Sequence, residues 1–415
     1  MKLPEQFVNP CSYGPYRLPN IPGTIVSLLT QERPECRLPE SSLKGLFREY
    51  EKVVLILVDG FGWCTFDRIA GNSGFLSEVM GEGVLLKLAA QFPSTTTCNI
   101  TTLNTGLDVA QHGMFEWFYY EPAVDDIIAP LLYSYGREQM YRGTLKKNRN
   151  LKPEDIYPRA SISQHLHGLG VKCYAYQNKD FTGSPYSDIV FRAAEMRGYG
   201  TAAEGLADMA ELLIQPGKTF HSFYFDRVDY MLHKYGPHSN EVETEVLAFF
   251  RDVEKAFWSK AKNSARDTAF IITADHGHTH IDYTKTIYLN KELPEIERYM
   301  KRNREGRPIV PAGSCRDMFL YIKDEHLRDV QVMLQELLKG KALVCRTSDL
   351  VEHCFFTERH ISEKLASRLG NLVILPFSGE SVWWYVKDVY YIDYLGHHGG
   401  LTREEMEIPF LMWNI

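Results

Sequence analysis

The sequence has no C-x-x-C pair, although it contains eight cysteines, and this spacing argues against a zinc site built from cysteines. It also has no long apolar segment. The longest continuous run is VVLILV, which is far too short to cross a bilayer, and the N-terminus lacks the apolar stretch of a signal peptide. These absences predict a cytoplasmic protein with reduced thiols and no membrane partner.

Blocks of basic residues are missing as well. The net charge is −7 at pH 7, so the charge balance argues against a nucleic acid polymer as the partner. A small anionic substrate is compatible with this charge, because bound metal ions supply local positive charge. The chain has 415 residues, of which 44% are hydrophobic, and is expected to form about two or three domains. Its oligomeric state cannot be deduced from the sequence.

Short apolar runs mark the strands of a sheet. VVLILV is followed directly by Asp-Gly, which is typical of a strand that is buried on both faces and ends in a loop. Comparable runs occupy residues 84–92, 170–177, 220–226 and 268–275. Helix-like segments separate some of them, at residues 199–215 and 240–261. The alternation predicts an α/β fold with a doubly wound, mostly parallel sheet sandwiched by helices.

Residues 296–392 have a different pattern. The strand-like segments RDMFLYIK, KALVCRT, NLVILPF and SVWWYVK accompany one amphipathic helix that stops at Gly340. This pattern predicts a small α+β insert that caps the site. The catalytic core then comprises residues 1–295 and 393–415.

Candidate metal ligands and a run of hydroxyls follow four of the five strand-like runs and recur in the C-terminal tail. In open α/β sheets, ligands bind beyond the carboxyl ends of the strands. Taken one at a time, such residues are more often turn residues, helix caps or surface pairs. Taken together they offer only oxygen and nitrogen donors, which suit two divalent ions, with zinc as the first choice and manganese as the alternative. The donors are Asp59, Asp229, His233, Asp275, His276 and His398.

Five motifs in the same order carry a family resemblance. They are VDGFGW (58–63), FPSTTTCNITTLNTGLDVAQHG (92–113), DYMLHKYGP (229–237), TADHGH (273–278) and GHHGGLTREEMEIPFL (396–411). With them the chain resembles the alkaline phosphatase superfamily, in particular its type I phosphodiesterase/nucleotide pyrophosphatase branch. The resemblance implies an alkaline phosphatase-like fold and two metal sites. One site would use Asp229, His233 and His398, and the other Asp59, Asp275, His276 and the hydroxyl of the nucleophile.

The nucleophile is expected in the run of three threonines. The family's F-P-x-x-T pattern places it at Thr96, with Thr95 and Thr97 as the alternatives. If the loop opens a helix, neighbouring side chains point in different directions, so only one of them faces the metals. Cys98 suggests the sulfatase branch, but the Pro/Ala-Ser-Arg sequence that this branch needs does not follow it. We therefore predict that Thr96 is both the nucleophile and a metal ligand, and that Cys98 is a small buried side chain.

The resemblance is incomplete at the substrate. The nucleotide pyrophosphatases carry an Asn about 21 positions after the nucleophile, where this chain has Trp117, preceded by Glu116. Nucleotide specificity is therefore in doubt. Trp117 is interpreted either as packing or as a stacking wall for the substrate. Arg316 is interpreted either as a phosphate-binding residue that reaches over the metals or as a member of a local ion pair.

Four other histidines lie close to the motifs. His278 and His280 follow the Asp-His motif and are expected to orient a ligand or to face solvent. His112 is expected to brace the threonine loop. His397 precedes His398, and the family pattern places the ligand directly before Gly-Gly, which favours His398 over His397.

These residues predict a two-metal hydrolase that cleaves phosphodiester or pyrophosphate-type bonds of a small phosphorylated substrate through a covalent phospho-threonine. A phosphomonoesterase, a phosphonate hydrolase or a phosphomutase are the alternatives on the same scaffold. Between Phe92 and Phe118 there is no Arg or Lys, which favours a diester over a dianionic monoester. A non-catalytic binding protein is the alternative of another class, and the complete set of ligands argues against it. The physiological substrate is left open.

Overall fold

The computed structural model describes residues 3–415. Ten of its strands form the central sheet and a smaller three-stranded sheet. These strands are β1 (Lys52–Val58), β2 (Val84–Ala89), β3 (Lys172–Asn178), β4 (Ala194–Tyr199), β5 (Thr219–Phe225), β6 (Thr268–Thr273), β7 (Met318–Leu320), β8 (Ala342–Arg346), β9 (Leu372–Pro376) and β10 (Glu407–Asn414).

The central sheet has seven strands in the order β2-β10-β6-β1-β5-β3-β4. β1 pairs in parallel with β5 and β6, and β3 pairs in parallel with β4 and β5. β10 runs antiparallel to both of its neighbours. Every residue of β1 and β6 is buried, as expected for strands covered by helices on both faces. The predicted doubly wound, mostly parallel sheet is thereby confirmed.

Helices cover this sheet. The helices of six or more residues are α1 (Asn20–Leu29), α2 (Trp63–Ile69), α3 (Gly74–Glu82), α4 (Thr96–Thr105), α5 (Ile162–Gly168), α6 (Pro185–Val190), α7 (Ala202–Leu213), α8 (Arg227–Tyr235), α9 (Asn240–Asp252), α10 (Ser259–Ser264), α11 (Leu327–Leu337), α12 (Thr347–Glu352) and α13 (Glu363–Arg368). A π-helical turn, Val253–Trp258, joins α9 to α10. The helix predicted at residues 240–261 is therefore continuous across that turn.

Two strands of the central sheet were not predicted from the sequence. β4 has the sequence AEMRGY and lies at an edge of the sheet, where most of its residues are only partly buried. Its sequence therefore contains no apolar run. β10 was read as part of a motif in the tail, and its role as a strand between β2 and β6 depends on pairing with residues far away in the chain.

The segment predicted as an insert contains a smaller antiparallel sheet in the order β7-β9-β8. One apolar cluster joins this sheet to the segment around the threonines. In it, Phe319 of β7 lies 6.3 Å from Phe92 and 5.2 Å from Phe115, between ring centroids. Because the cluster contains residues from both predicted parts, the division at residues 296–392 stays a prediction.

No helix among residues 3–415 is long and apolar enough to span a membrane. All eight cysteines are unpaired. The cytoplasmic location stays a prediction.

Candidate active site

The carboxyl ends of four parallel strands meet at one edge of the central sheet. Asp59 follows β1 directly, and Asp275 and His276 follow β6. β5 leads into α8, which carries Asp229 and His233. β2 leads through a short loop into α4. The parallel pairing of β1 with β5 and β6 therefore brings residues that are far apart in sequence to one place.

The threonine loop opens a helix, as predicted. Thr95 is the N-cap of α4: its side chain accepts a hydrogen bond from the Cys98 amide and donates one to the Phe115 carbonyl. Thr97 is buried, and its hydroxyl has no hydrogen-bond partner. Thr96 is the first residue of the helix, and only its hydroxyl, among the three, contacts the predicted metal ligands.

The first cluster surrounds the Thr96 hydroxyl. This oxygen lies 3.0 Å from His276 Nε2 and 3.5 Å from Asp59 Oδ1. His276 Nε2 in turn lies 3.4 Å from Asp59 Oδ1 and 3.4 Å from Asp275 Oδ2. The Gly60 amide donates to Asp275 Oδ1, and the Tyr224 hydroxyl donates to Asp59 Oδ2. The other two carboxylate oxygens, Oδ1 of Asp59 and Oδ2 of Asp275, therefore face each other and the Thr96 hydroxyl.

The first cluster brings buried carboxyl groups close together without a basic side chain from the described residues beside them. Burial raises the pKa of Asp59, and the charges of Asp275 and Asp229 raise it further. Asp275 Oδ2 is buried and has no hydrogen-bond partner. Within residues 3–415, neither Asp59 nor Asp275 forms an ion pair with a lysine or arginine. Ligand atoms of Asp59, Asp275 and His276 lie within 4.8 Å of one another, so the cluster could hold a divalent ion.

The second cluster is centred on Asp229. Its Oδ2 lies 3.6 Å from His233 Nε2, and its Oδ1 lies 3.8 Å from His398 Nε2. The Nδ1 atoms of both histidines are held by backbone carbonyls, at 2.9 Å from Gly396 and 3.0 Å from Ser94. This leaves each Nε2 directed at the cluster, which is the usual arrangement of a metal-binding histidine. The structure thus brings together the three ligands that the family resemblance implied.

His278 belongs to the second cluster more closely than the sequence indicated. Its Nε2 lies 2.7 Å from Asp229 Oδ1, and its buried Nδ1 has no partner. Ligand atoms of Asp229, His276, His278 and His398 lie within 4.8 Å of one another. The rings of His276 and His398 stack with centroids 3.8 Å apart and so connect the two clusters. The signal for His278 in the sequence was its position two residues after the Asp-His pair.

The charge states suit metal ligation. Burial lowers the pKa of His278 to about 4 and that of His398 well below its ordinary value, so both imidazoles are neutral and keep a lone pair. Although burial opposes it, His233 and the hydrogen bond from His278 hold the pKa of Asp229 below its usual range. The cluster therefore combines a carboxylate with the neutral imidazoles of His278 and His398 at neutral pH.

Two cavities open on the Thr96 side chain. Thr96, Trp117, Asp229 and Tyr230 line both of them. The smaller cavity, of about 250 Å³, is mainly apolar and extends over the ends of the central strands. The larger, of about 440 Å³, extends beneath the loop of residues 388–394. Trp117 lies between the two cavities and is 37% exposed. This is the position that a stacking wall for the substrate would occupy.

Arg316 does not face the site, and the interpretation as a phosphate-binding residue is wrong. Its side chain is completely buried and forms a two-pronged ion pair with Glu405, at 2.9 and 3.0 Å. Its remaining nitrogen donates to the carbonyls of Phe377 and Glu380. Because these partners use its donors, the guanidinium joins the segment predicted as an insert to the C-terminal tail instead of binding substrate. The local ion pair was the correct alternative.

Sequence reasoning missed a pair of buried carboxyl groups next to the site, Glu116 and Asp317. The Trp117 amide donates to Glu116, and Ser314 donates to Asp317 Oδ1 from both its amide and its hydroxyl. The two carboxyl groups contact each other, and Glu116 Oε1 and Asp317 Oδ2 have no other hydrogen-bond partner among the described residues. A Cβ atom on Gly399 would lie 3.2 Å from Glu116 and 2.7 Å from Asp317, so the pair packs against the backbone beside His398. The two residues are distant in sequence, and no spacing could reveal them.

Replacing Glu116 by Gln is expected to change how stability depends on pH. Burial raises the pKa of Glu116 from 4.5 to about 8, and burial and the charge of Glu116 raise that of Asp317. Between these values the folded protein holds a proton that the unfolded chain releases, so stability falls as the pH rises. Glu116 contributes at most about 1.4 kcal/mol per pH unit to this decrease in the free energy of unfolding. Urea unfolding at three pH values between about 5 and about 8 measures the decrease.

In Glu116→Gln the side-chain amide that replaces the carboxyl donates to Asp317 at every pH. The free energy of unfolding should therefore decrease less steeply as the pH rises. Glu336→Gln makes the same change on an exposed helix surface and should keep the slope of the parent protein. Equal slopes in the parent protein and Glu116→Gln would show that the pair does not share a proton.

The other histidines near the motifs do not belong to either cluster. His112 Nε2 lies 3.0 Å from the Thr102 hydroxyl, and His112 therefore braces α4. His280 is exposed in a short strand that pairs with Gly396–His397. His397 lines the larger cavity, and its Nδ1 contacts the backbone of His398. Cys98 is completely buried, as expected.

Comparison with known proteins extends over most of the chain. The sequence model of the family described as type I phosphodiesterase / nucleotide pyrophosphatase matches residues 53–401. Among solved structures, human ectonucleotide pyrophosphatase/phosphodiesterase 5 has a TM-score of 0.67 at 18% identity, with 88% of each chain covered. Its murine counterpart has a TM-score of 0.64 at 17% identity and 88% coverage of each chain. An inactive threonine-to-alanine variant of the murine protein in complex with AMP has a TM-score of 0.64 at 16% identity, again with 88% of each chain covered. These structures share the fold of this chain.

Proposed function

The chain belongs to the type I phosphodiesterase/nucleotide pyrophosphatase family and is a hydrolase of that type, and on this premise we propose a two-metal mechanism with Thr96 as the nucleophile. Two divalent ions, zinc first and manganese as the alternative, are held by the two clusters. The substrate is a small phosphorylated molecule with a diester or pyrophosphate-type bond. The reaction proceeds through a covalent phospho-threonine.

One observation carries this proposal: the Thr96 hydroxyl lies against the first cluster, while Thr95 and Thr97 are turned away. Thr96 Oγ1 is 3.0 Å from His276 and 3.5 Å from Asp59. The Thr95 hydroxyl is occupied as the cap of α4, and that of Thr97 is buried away from the ligands. A nucleophile needs this kind of contact with its activating groups.

The residues of the chain prepare the attack. Tyr224 and the Gly60 amide fix the carboxylates of Asp59 and Asp275, so that their free oxygens stay beside Thr96. Thr96 begins α4, and the positive end of this ten-residue helix favours negative charge on the hydroxyl oxygen and on the phosphoryl group. When bound, the two ions would lower the pKa of the hydroxyl and offset the charge of the phosphoryl oxygens.

Thr96 then attacks phosphorus, the phosphoester bond to the leaving alcohol breaks, and phospho-threonine forms. Water hydrolyses this ester and restores the hydroxyl. Burial of His276 and Asp275 excludes solvent from the side of the nucleophile that faces the sheet. The attack is therefore confined to the side that faces the two cavities.

The two cavities favour a phosphodiester over a monoester. A diester carries two substituents on phosphorus, and a cavity adjoins Thr96 for each of them. A monoester is a dianion that usually needs an added positive side chain, and the guanidinium of Arg316 points elsewhere. The AMP complex of the murine relative supports a small phosphorylated substrate. The phosphatase, phosphonate and phosphomutase alternatives lack a comparable observation.

Diesters are expected to be hydrolysed faster than monoesters. We expect kcat/KM for bis-p-nitrophenyl phosphate to exceed that for p-nitrophenyl phosphate by at least about tenfold, because only the diester occupies both cavities. Both substrates release the same alcohol, so the leaving group is matched. The two identical leaving groups of the diester explain a factor of about two. A preference for the monoester would instead identify a phosphomonoesterase.

A further inference from the structure

Two cysteines from distant parts of the chain meet in the structure. The Cys11 thiol donates a hydrogen bond to the backbone carbonyl of Cys354 at 2.7 Å, although 343 positions separate the two residues. Cys11 and Cys354 are both half-buried, so small molecules in solution can reach them. None of the proposed metal ligands is a cysteine, and the proposed mechanism uses neither thiol. The pair therefore needs an explanation of its own.

The backbone is held in place on both sides of this contact. Cys11 lies in a short helical turn, Pro10–Tyr13, and its amide donates to the side-chain oxygen of Asn9 at 2.9 Å. The side-chain nitrogen of Asn9 donates to the His353 carbonyl at 3.3 Å, next to Cys354. Cys354 itself has a φ of 61°, in the left-handed region that a residue other than glycine keeps only when its surroundings hold it there. Rotation of the two side chains can therefore bring the sulfur atoms together with little movement of the backbone.

The surroundings of Cys11 suit thiol–disulfide exchange. Arg17 Nη1 lies 3.5 Å from Cys11 Sγ and donates to it. Burial raises the pKa of the Cys11 thiol, the charge of Arg17 offsets part of this rise, and the Cys354 thiol adds to it. The effect of Cys354 on this pKa means that the two thiols act on each other directly. Since the thiolate is the attacking form in such an exchange, the Arg17 guanidinium favours the species that reacts.

The turn that contains Cys354 lies behind the threonine loop. The ring of Phe356 packs against that of Phe92, with centroids 5.5 Å apart. The Thr357 hydroxyl donates to Gln91 Oε1 at 3.4 Å. Gln91 and Phe92 lie in the chain just before the threonines. A bond that holds this turn in place would therefore also support the wall behind the proposed nucleophile.

We propose that Cys11 and Cys354 are a site of reversible oxidation, at which a small disulfide in solution converts the two thiols into a disulfide bond. The Cys11 thiolate attacks one sulfur of the small disulfide, forms a mixed disulfide and releases one thiol. The Cys354 thiolate then attacks the Cys11 sulfur, and the second thiol leaves. The protein loses two electrons and two protons, which the two released thiols carry. The new bond joins the N-terminal segment to the turn behind the threonine loop.

The disulfide bond should stabilise the protein, because it links residues 343 positions apart and so restricts the unfolded chain. The full-length protein is incubated with oxidised or with reduced glutathione, and the free thiols are then alkylated. Peptide mass spectrometry is expected to find Cys11 linked to Cys354 in the oxidised sample alone. The melting temperature of that sample should be higher by about 5 °C, and dithiothreitol should reverse the increase. Neither measurement uses enzymatic activity, so the outcome does not depend on the proposed function.

Serine variants locate the effect. Cys11→Ser and Cys354→Ser should each lose the linked peptide and the increase in melting temperature. Cys36→Ser makes the same change at an exposed cysteine and should keep both. Glutathione attached to Cys11 and Cys354 without a bond between them, a bond from Cys11 to Cys36, or an increase that persists in Cys354→Ser would overturn the inference. The linked peptide without a higher melting temperature would contradict the predicted dependence of stability on oxidation.

Discussion

Replacing Thr96 by alanine is expected to lower kcat/KM for bis-p-nitrophenyl phosphate by on the order of a thousandfold or more, while the protein keeps both metal ions. The substitution removes the attacking oxygen. It leaves the ligands Asp59, Asp275 and His276 in place, held by contacts that do not involve Thr96. Activity is measured with the chromogenic diester, and metal content by elemental analysis of the same sample.

The neighbouring threonines are the matched controls. Thr95→Ala removes the cap of α4 and should cost about 1 kcal/mol of stability, with a loss of activity of about tenfold at most. Thr97→Ala removes a buried hydroxyl without a hydrogen-bond partner and should have little effect on either. Thr96→Ser keeps the hydroxyl and should retain measurable activity. If Thr95→Ala or Thr97→Ala abolishes turnover in folded, metal-loaded protein and Thr96→Ala does not, the nucleophile is misassigned.

Replacing a proposed metal ligand is expected to have the second large effect on activity. We expect His398→Gln to bind about one divalent ion per chain instead of two and to lose on the order of a hundredfold or more in kcat/KM. His398 Nε2 is directed at Asp229, and its Nδ1 is held by the Ser94 carbonyl, so glutamine cannot reproduce both contacts of the ring. Elemental analysis of protein purified without chelator gives the metal content, and zinc is the expected element.

The adjacent histidine provides the control for this prediction. His397→Gln makes the same chemical change one residue earlier, at a side chain whose Nδ1 contacts its own backbone neighbourhood, and should retain two ions. Removing metal from the parent protein with a chelator should abolish activity, and added Zn²⁺ or Mn²⁺ should restore it. Less than one equivalent of transition metal in the parent protein, with no recovery on adding either ion, would contradict the two-metal assignment.

Sequence alone indicated the central sheet and most of the site because both depend on local signals. A run such as VVLILV before Asp-Gly is typical of an interior strand, and Asp59 follows it directly. The parallel arrangement then brings the ends of β1, β5 and β6 together, whatever the lengths of the connections. The family's F-P-x-x-T pattern selected Thr96, and the helix that starts there explains why only one of the three hydroxyls faces the clusters, because each following side chain is turned by a fixed angle.

The parts that the sequence did not indicate depend on contacts between distant segments. Arg316 has the same sequence pattern whether it pairs with Glu405 or reaches a phosphate, and only the fold decides between them. Glu116 and Asp317 meet although 201 positions separate them. The edge strand β4 has no apolar run because solvent covers much of it. In each case a residue's partner, and not its type, determines its role.

The direction of β10 has a topological consequence for His398, the last of the proposed metal ligands along the chain. β10 is antiparallel to β2 and β6, so its first residue, Glu407, lies beside Ala89 at the end of β2. The chain must therefore reach β10 at the catalytic rim, and it passes His398 across that rim just before the strand begins. A parallel strand in this position would start at the far end of the sheet, about 25 Å away. The reversal of this one strand lets the C-terminal tail complete a site that the rest of the core builds from crossover connections.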